Sequence, residues 1–346
     1  MKSLLLSMFS LPACGFIKAQ KPWRLSLLIG LIVTVAIVSL FVGAAQLSLI
    51  DVVHTLFSGE ESTSKELDFI INQYRLPRLF LAIGVGAGLG LSGALVQGVI
   101  RNPLASPDLM GISTGAGLAA TSLLLFYPQA PLFFLPLAAL LGGISAALMV
   151  MAAAYFNQPT PARLALIGIA ISAFLASGID FLMVVKPLEI NTAMVWLTGS
   201  LWGRNWQEVP YIYVSLMLII PFAFYLAWRL DVMGLGVESA TSLGVSVNKM
   251  QLLALMTAVV LASISVSICG TISFVGLLAP HLARLLFSHQ HKWLLPGAAL
   301  IGALLVLVSD LLARGLQPPM ELPAGVLTSL IGAPYFIFLL YRYKGW

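Results

Sequence analysis

Long apolar runs separated by short polar breaks set the pattern of this chain. Residues 79–100 carry no charge, and Ser92 and Gln97 are their only hydrophilic side chains. That is about the ~20 apolar residues a helix needs to cross a bilayer. Gly84, Gly86, Gly88, Gly90, Gly93 and Gly98 are spread through the same run. Such glycines weaken a helix in water, but in lipid they let helix backbones approach closely, so this span is predicted to be buried among others. Runs of the same kind predict ten spans, at about 25–47, 79–100, 108–126, 132–155, 164–185, 210–229, 250–270, 273–288, 294–313 and 323–341.

The breaks carry the polar pattern. The 48–74 loop holds Asp51, Glu60, Glu61, Glu66 and Asp68 against Lys65 alone. After the turn 101–107, Ser106-Pro107-Asp108 predicts the start of the third span, with a capping hydroxyl, Pro in the first turn and an acid at the positive end of the dipole. Asn157 to Arg163 form another turn. The 186–209 loop contains Trp196, Trp202 and Trp206, which fit an interfacial aromatic belt, and it has room for a short re-entrant helix. The eighth span is short and holds Pro280, His281 and Arg284, so it is predicted to be irregular and enclosed by protein. Residues 230–249, small and polar, form the longest loop on their side.

Composition narrows the class. The chain is 60% hydrophobic and 9% charged, with a mean hydropathy of +1.00, where a soluble protein carries roughly 25% charged residues. The predicted fold is an all-α polytopic membrane protein of about ten transmembrane helices. It forms a single domain, 25–346, preceded by a tail, 1–24. Met1 to Cys14 loosely imitate a secretory signal, but Lys18, Lys21 and Arg24 just ahead of the first span favour a retained tail. The net charge of +5 does not call for nucleic acid here. With the N-terminus inside, twelve of the eighteen basic residues fall in inner segments, as the positive-inside rule expects. Both termini are therefore predicted to be cytoplasmic. Cys14 and Cys269 are far apart in apolar sequence and do not suggest a disulfide framework.

Motifs for bond chemistry are missing. There is no nucleotide-binding P-loop, no His-Glu-x-x-His and no cysteine pair for zinc. His289-Gln-His291 beside Lys292 reads as a solvated turn, and no metal site is predicted. Asp180, and Asp310 with Arg314 four residues on, are ionisable groups near span ends. They read as interfacial ion-pairing groups, with a proton relay as the sharper alternative. Arg75, Arg78 and Arg314 fall at the outer ends of spans, where the positive-inside rule works against arginine. They serve there either as snorkelling anchors or as receivers of a soluble partner's carboxylates, since arginine forms two-pronged bonds to carboxylate.

Taken in order, Arg75-Leu-Pro-Arg78, Gly93-Ala-Leu-Val-Gln97, Asn102-Pro103-Leu-Ala105, Gly111-Ile-Ser-Thr-Gly115-Ala-Gly117, Gly276 to Pro280-His281-Leu-Ala-Arg284, Asp310-Leu-Leu-Ala-Arg314 and Glu321-Leu-Pro-Ala-Gly325 resemble the FecCD-type permeases. These are the membrane subunits of iron–siderophore, haem and cobalamin ABC importers. The resemblance covers nearly the whole chain from about residue 25. It implies ten helices per subunit and a dimer, with this chain or a sister permease, that holds the pathway at its interface. It implies two copies of a separate ATPase that binds ATP and Mg, and a periplasmic or lipid-anchored substrate-binding protein. Arg75, Arg78 and Arg314 then receive two glutamates of that binding protein. The short helix about Val237, Glu238, Ser239, Ala240, Leu243 and Gly244 becomes the coupling helix that enters the ATPase. Gly93, Gln97, Asn102, Pro103, Gly111, Gly115, Pro280 and His281 become structural or pathway residues. The implied activity is import of a ferric siderophore across the bacterial inner membrane, with no cofactor in this chain and no bond chemistry of its own. A cobalamin or haem permease, and a proton-coupled secondary carrier, stay open as alternatives.

Overall fold

The computed structural model describes residues 21–43, 45, 47–57, 64–131, 133–155, 161–187 and 190–342. The proposed tail through Gln20, Glu60, Glu61 and the first residues of the 157–163 turn lie outside the described residues. Within them the chain runs α1 (Lys21–Phe41), α2 (Leu49–Phe57), α3 (Lys65–Ile100), α4 (Ile112–Phe126), α5 (Phe134–Tyr155), α6 (Pro161–Val185), α7 (Ile190–Leu197), α8 (Val209–Met233), α9 (Val237–Ser242), α10 (Val247–Cys269), α11 (Val275–Leu286), α12 (His291–Gly315) and α13 (Ala324–Arg342). No strand occurs among the described residues.

Helices stand at all ten predicted positions, but they are not alike. Seven, namely α1, α3, α5, α6, α8, α10 and α12, are long and apolar enough to cross a membrane, whereas α4, α11 and α13 are shorter apolar helices. The expected first span, 25–47, ends early at Phe41, and α2 follows at Leu49.

The glycine-rich span is the centre of the molecule. The apolar window of α3 is 83% buried, against 17% for α6 and 22% for α1. Its glycines are what bring its neighbours in. A Cβ on Gly86 would collide with the Gly302 carbonyl of α12, and one on Gly90 with the Ala298 carbonyl. Gly86 and Gly90 are four residues apart on α3, and Ala298 and Gly302 four apart on α12, so each pair lies on one helix face. This is a small-residue contact of the kind that holds helices together in lipid. Gly93 likewise abuts the Gly276 carbonyl of α11, and Gly115 of α4 meets the Gly142 carbonyl of α5.

Two local predictions change. The third span does not start at Ser106. Pro107–Met110 wind as a 3-10 turn, Gly111 breaks the path at φ 72°, and regular helix begins at Ile112. Ser106 caps nothing with its side chain, and Asp108 instead accepts a hydrogen bond from the Ser113 hydroxyl. The tryptophans also divide. Trp202 and Trp206 are exposed, but Trp196, on α7, is buried beside Ala116, Ala120 and Val266. The loop holds a short helix, the eight-residue α7, and its packing buries that indole. The predicted irregularity of the eighth span is seen. Its helix, α11, has only 12 residues with Pro280 inside, and Phe274 ahead of it takes a left-handed φ of 67°.

Candidate functional site

Three arginines and two acids gather at one end of the α3–α12 pair. Residues Phe69–Arg75 of α3 are π-wound, a local underwinding that often marks functional sites. Arg78 follows one turn later. Arg75, Arg78 and Arg314 are 3%, 1% and 3% exposed. Arginines that deep must be paired or hydrogen-bonded to be tolerated.

Arg78 is enclosed by acids. Its Nε donates to Asp310 Oδ1 at 2.8 Å, and its Nη1 donates to Glu321 Oε2 at 2.5 Å and to the Tyr74 hydroxyl at 3.1 Å. Tyr74 in turn donates to Glu321 Oε1 at 3.0 Å. Asp310 Oδ2 lies 3.2 Å from Arg314 Nε, a close charge contact without hydrogen-bond alignment. Arg314 spends its Nη1 and Nη2 on the Val42 and Ser39 carbonyls, each at 3.2 Å. Among the described residues, Arg75 meets no carboxylate. It donates to the Leu40 carbonyl and, at 2.6 Å, to the Ala45 carbonyl.

The cluster thus sets the guanidiniums of Arg75, Arg78 and Arg314 against the carboxylates of Asp310 and Glu321, and one positive charge is left over. The surplus faces an opening. Arg75, Arg314, Tyr74, Glu321 and Trp202 line a cavity of about 670 Å³ at this end of the molecule. Arg78 lies behind that wall. Neither Glu321 nor Tyr74 stood among the predicted docking residues. Tyr74 carried a local signal, four residues before Arg78 on one helix face. The link from Arg78 to Asp310 spans 232 residues, and no local pattern reports it.

At the far end of α3 the expected motif residues form a joint. Gln97 Nε2 donates to the Ala105 carbonyl at 2.9 Å and the Leu277 carbonyl at 3.2 Å, while its Oε1 accepts from Arg284 Nη1 at 2.5 Å. Asn102 Oδ1 accepts from the Leu104 N–H at 2.9 Å and closes the turn that contains Pro103. Pro280 is buried in α11, and His281 beside it meets the Tyr335 ring edge-on at 6.1 Å between centroids. His291 departs from its predicted place in a solvated turn. It is 7% exposed, and its Nδ1 lies 2.6 Å from Asp231 Oδ1. It opens α12 against α3, so packing rather than local polarity decides its burial.

The predicted coupling segment stands out from the body. Val237, Glu238, Ser239, Leu243 and Gly244 are exposed, and Ala240 is fully buried. Gly236 and Gly244 bracket α9 with φ of 112° and 79°. A backbone of that hand favours glycine and closes a short helix at both ends. Leu235 (67% exposed), Val237 (54%) and Leu243 (59%) present apolar side chains outward.

The chain resembles known proteins over nearly its whole length. The model of the FecCD transport family covers residues 31–342. The chain is 46% identical over 324 residues to the Fe(3+)-citrate import system permease protein YfmE of Bacillus subtilis, covering 93% of this chain and 96% of that one. It is 47% identical over 276 residues to the Fe(3+) dicitrate transport system permease protein FecD of Escherichia coli, covering 80% and 86%. A solved metal-chelate type ABC transporter in an inward-facing conformation superposes with a TM-score of 0.81 at 32% identity, over 93% of this chain and all of the other.

Proposed function

The chain belongs to the FecCD transport family of ABC-transporter permeases, and from that premise we propose that it is the permease subunit of an ATP-driven importer that carries ferric citrate across the bacterial inner membrane. The observation that carries this reading is the near-full-length identity of 46% to a permease named for ferric citrate. In this reading the arginine cluster faces outward, both termini lie in the cytoplasm, and α9 lies on the cytoplasmic side. All ten apolar helices take part in the membrane domain, and the pathway runs between two permease subunits.

Each end has a task. A substrate-binding protein docks at the arginine end, and its carboxylates enter the cavity to meet Arg75 and Arg314. Arg78 acts from behind, by holding Asp310 and Glu321 so that the surplus charge stays with the two cavity arginines. A deep, pre-positioned guanidinium loses little freedom when it pairs, which favours a two-pronged bond to an incoming carboxylate. At the other end, Val237, Glu238, Leu243 and Gly244 seat in a groove of each ATPase. ATP closes the ATPase pair, and this favours one permease conformation only so far as α9 binds the closed pair differently from the open one. The pairing of Asp310 with arginine and the exposed position of Asp180 on α6 favour this mechanism over a proton relay.

Uptake of labelled iron tests the cargo. Cells relying on this permease, its ATPase and its binding protein are expected to take up ferric citrate, and unlabelled ferric citrate should compete while hemin and cobalamin should not. Hemin that competes as well as ferric citrate would sink the citrate assignment.

A further inference from the structure

Helices α3 and α12 run antiparallel and stay in step along their whole shared length. Gly98 pairs with His291, Gly90 with Ala298, Gly86 with Gly302 and Arg78 with Asp310. Each step toward the start of α3 is matched by an equal step toward the end of α12, apart from one residue at the Gly98 end. From Gly98 to Arg78 is a rise of about 30 Å at 1.5 Å per residue. The middle of this pair is backbone against backbone, with no long side chain to yield. One end carries the arginine cluster. The other end is tied to the segment that leads into α9.

That second tie is made by one carboxylate. Asp231 lies in the last turn of α8, six residues before Val237. Its Oδ1 accepts from the His291 backbone N–H at 3.0 Å and lies 2.6 Å from His291 Nδ1. It therefore caps the N-terminus of α12 from a different helix, where the helix dipole favours a negative charge, while Gln290, the residue at the cap position, makes no side-chain cap bond. The imidazole rests against Gly98, where a Cβ would stand 2.5 Å from Nε2. The family motifs read from the sequence do not include Asp231 or His291, and the cargo and docking readings do not use them.

We propose that the α3–α12 pair is the rod that carries conformational change between the ATPase end and the binding-protein end, and that Asp231 and His291 are the positioning residues that join it to α9. The inference rests on the assignment of α9 to the ATPase. A push on α9 reaches α8's last turn and passes through Asp231 to the first turn of α12. Because α12 cannot slide against α3 without Gly86, Gly90, Ala298 and Gly302 colliding, the displacement is delivered at Asp310 and Arg78 as movement of the pair. The same route runs backward, so that docking at the arginine end changes ATP turnover, as coupling between sites must be reciprocal in binding.

The test uses the complete importer in lipid nanodiscs, with its ATPase and with its binding protein loaded with ferric citrate. Asp231→Ala, His291→Ala, the double variant and Asp231→Asn are compared. Basal ATPase and ATPase association should match the wild type, whereas stimulation by the loaded binding protein should fall by about two- to thirtyfold. The double variant should be no worse than either single one. Asp231→Asn keeps an oxygen for the His291 N–H and should recover part of the stimulation. It also stands in should Asp231→Ala fail to assemble, and a partial loss is then the expected result. Assembled variants that are stimulated as well as wild type would overturn the proposal. Normal ATP-driven uptake by Leu243→Glu with Glu238→Arg in α9 would instead refute the α9 assignment, so the two failures are distinguishable.

Discussion

Arg78 and Arg75 are three residues apart, yet chemistry separates them. Arg78 is held by Asp310 and Glu321, while Arg75 has, among the described residues, only the backbone carbonyls of Leu40 and Ala45. Removing one member of a buried pair leaves the other charge unmatched, which costs about 3–5 kcal/mol. Arg78→Ala or Asp310→Ala should therefore lower the thermal stability of the purified permease markedly, whereas Arg75→Ala should not, as a melting curve in detergent would show. Arg75→Glu should leave a folded permease but weaken docking of the loaded binding protein by at least tenfold, measurable by surface-immobilised binding. Unchanged affinity would remove Arg75 from the docking surface. The pairing of Asp310 with Arg314 was legible, because four residues on a helix bring side chains together. The capture of Asp310 by Arg78 was not, because it depends on two spans lying side by side. His291 was misread for the same reason. Its neighbours in sequence are polar, but its neighbours in space are Asp231 and Gly98.

At the scale of the element, the apolar runs showed where every long helix lies, and the glycines of residues 79–100 showed which one is central. What the runs did not show was length and ending. The span expected to start at 108 is delayed to Ile112 because Gly111, after a 3-10 turn, takes a left-handed φ of 72°. Trp196 belongs to the core because of how α7 packs, a choice that composition leaves undecided. The α3–α12 contact makes its own prediction. Gly302→Val places a branched side chain against the Gly86 carbonyl and should prevent assembly or lower the melting temperature by several degrees. Ala303→Gly, at the neighbouring position, should be milder. At α9, Leu243→Glu together with Glu238→Arg should leave the permease folded but reduce uptake severely while basal ATP hydrolysis persists. Normal uptake by this variant would displace the coupling segment.

Over the whole molecule, the division of labour follows from the distribution of charge. The interior is apolar and glycine-packed. Arg75, Arg78 and Arg314 collect with Asp310 and Glu321 at one end of α3 and α12, and the exposed apolar residues Leu235, Val237 and Leu243 project beside α9. Family membership was readable in the ordered motifs from Arg75 to Gly325, and the family model spans the same stretch. The choice of cargo was not readable, since none of the ordered motifs carries a group that reads the bound chelate. The account stands or falls on energy source and partner dependence. Proteoliposomes holding this permease, its ATPase and, on the cargo side, its binding protein should accumulate labelled ferric citrate only when ATP and the binding protein are both present. Uptake driven by a pH gradient without ATP would contradict the account and return Asp180 and Asp310 to the centre of the mechanism.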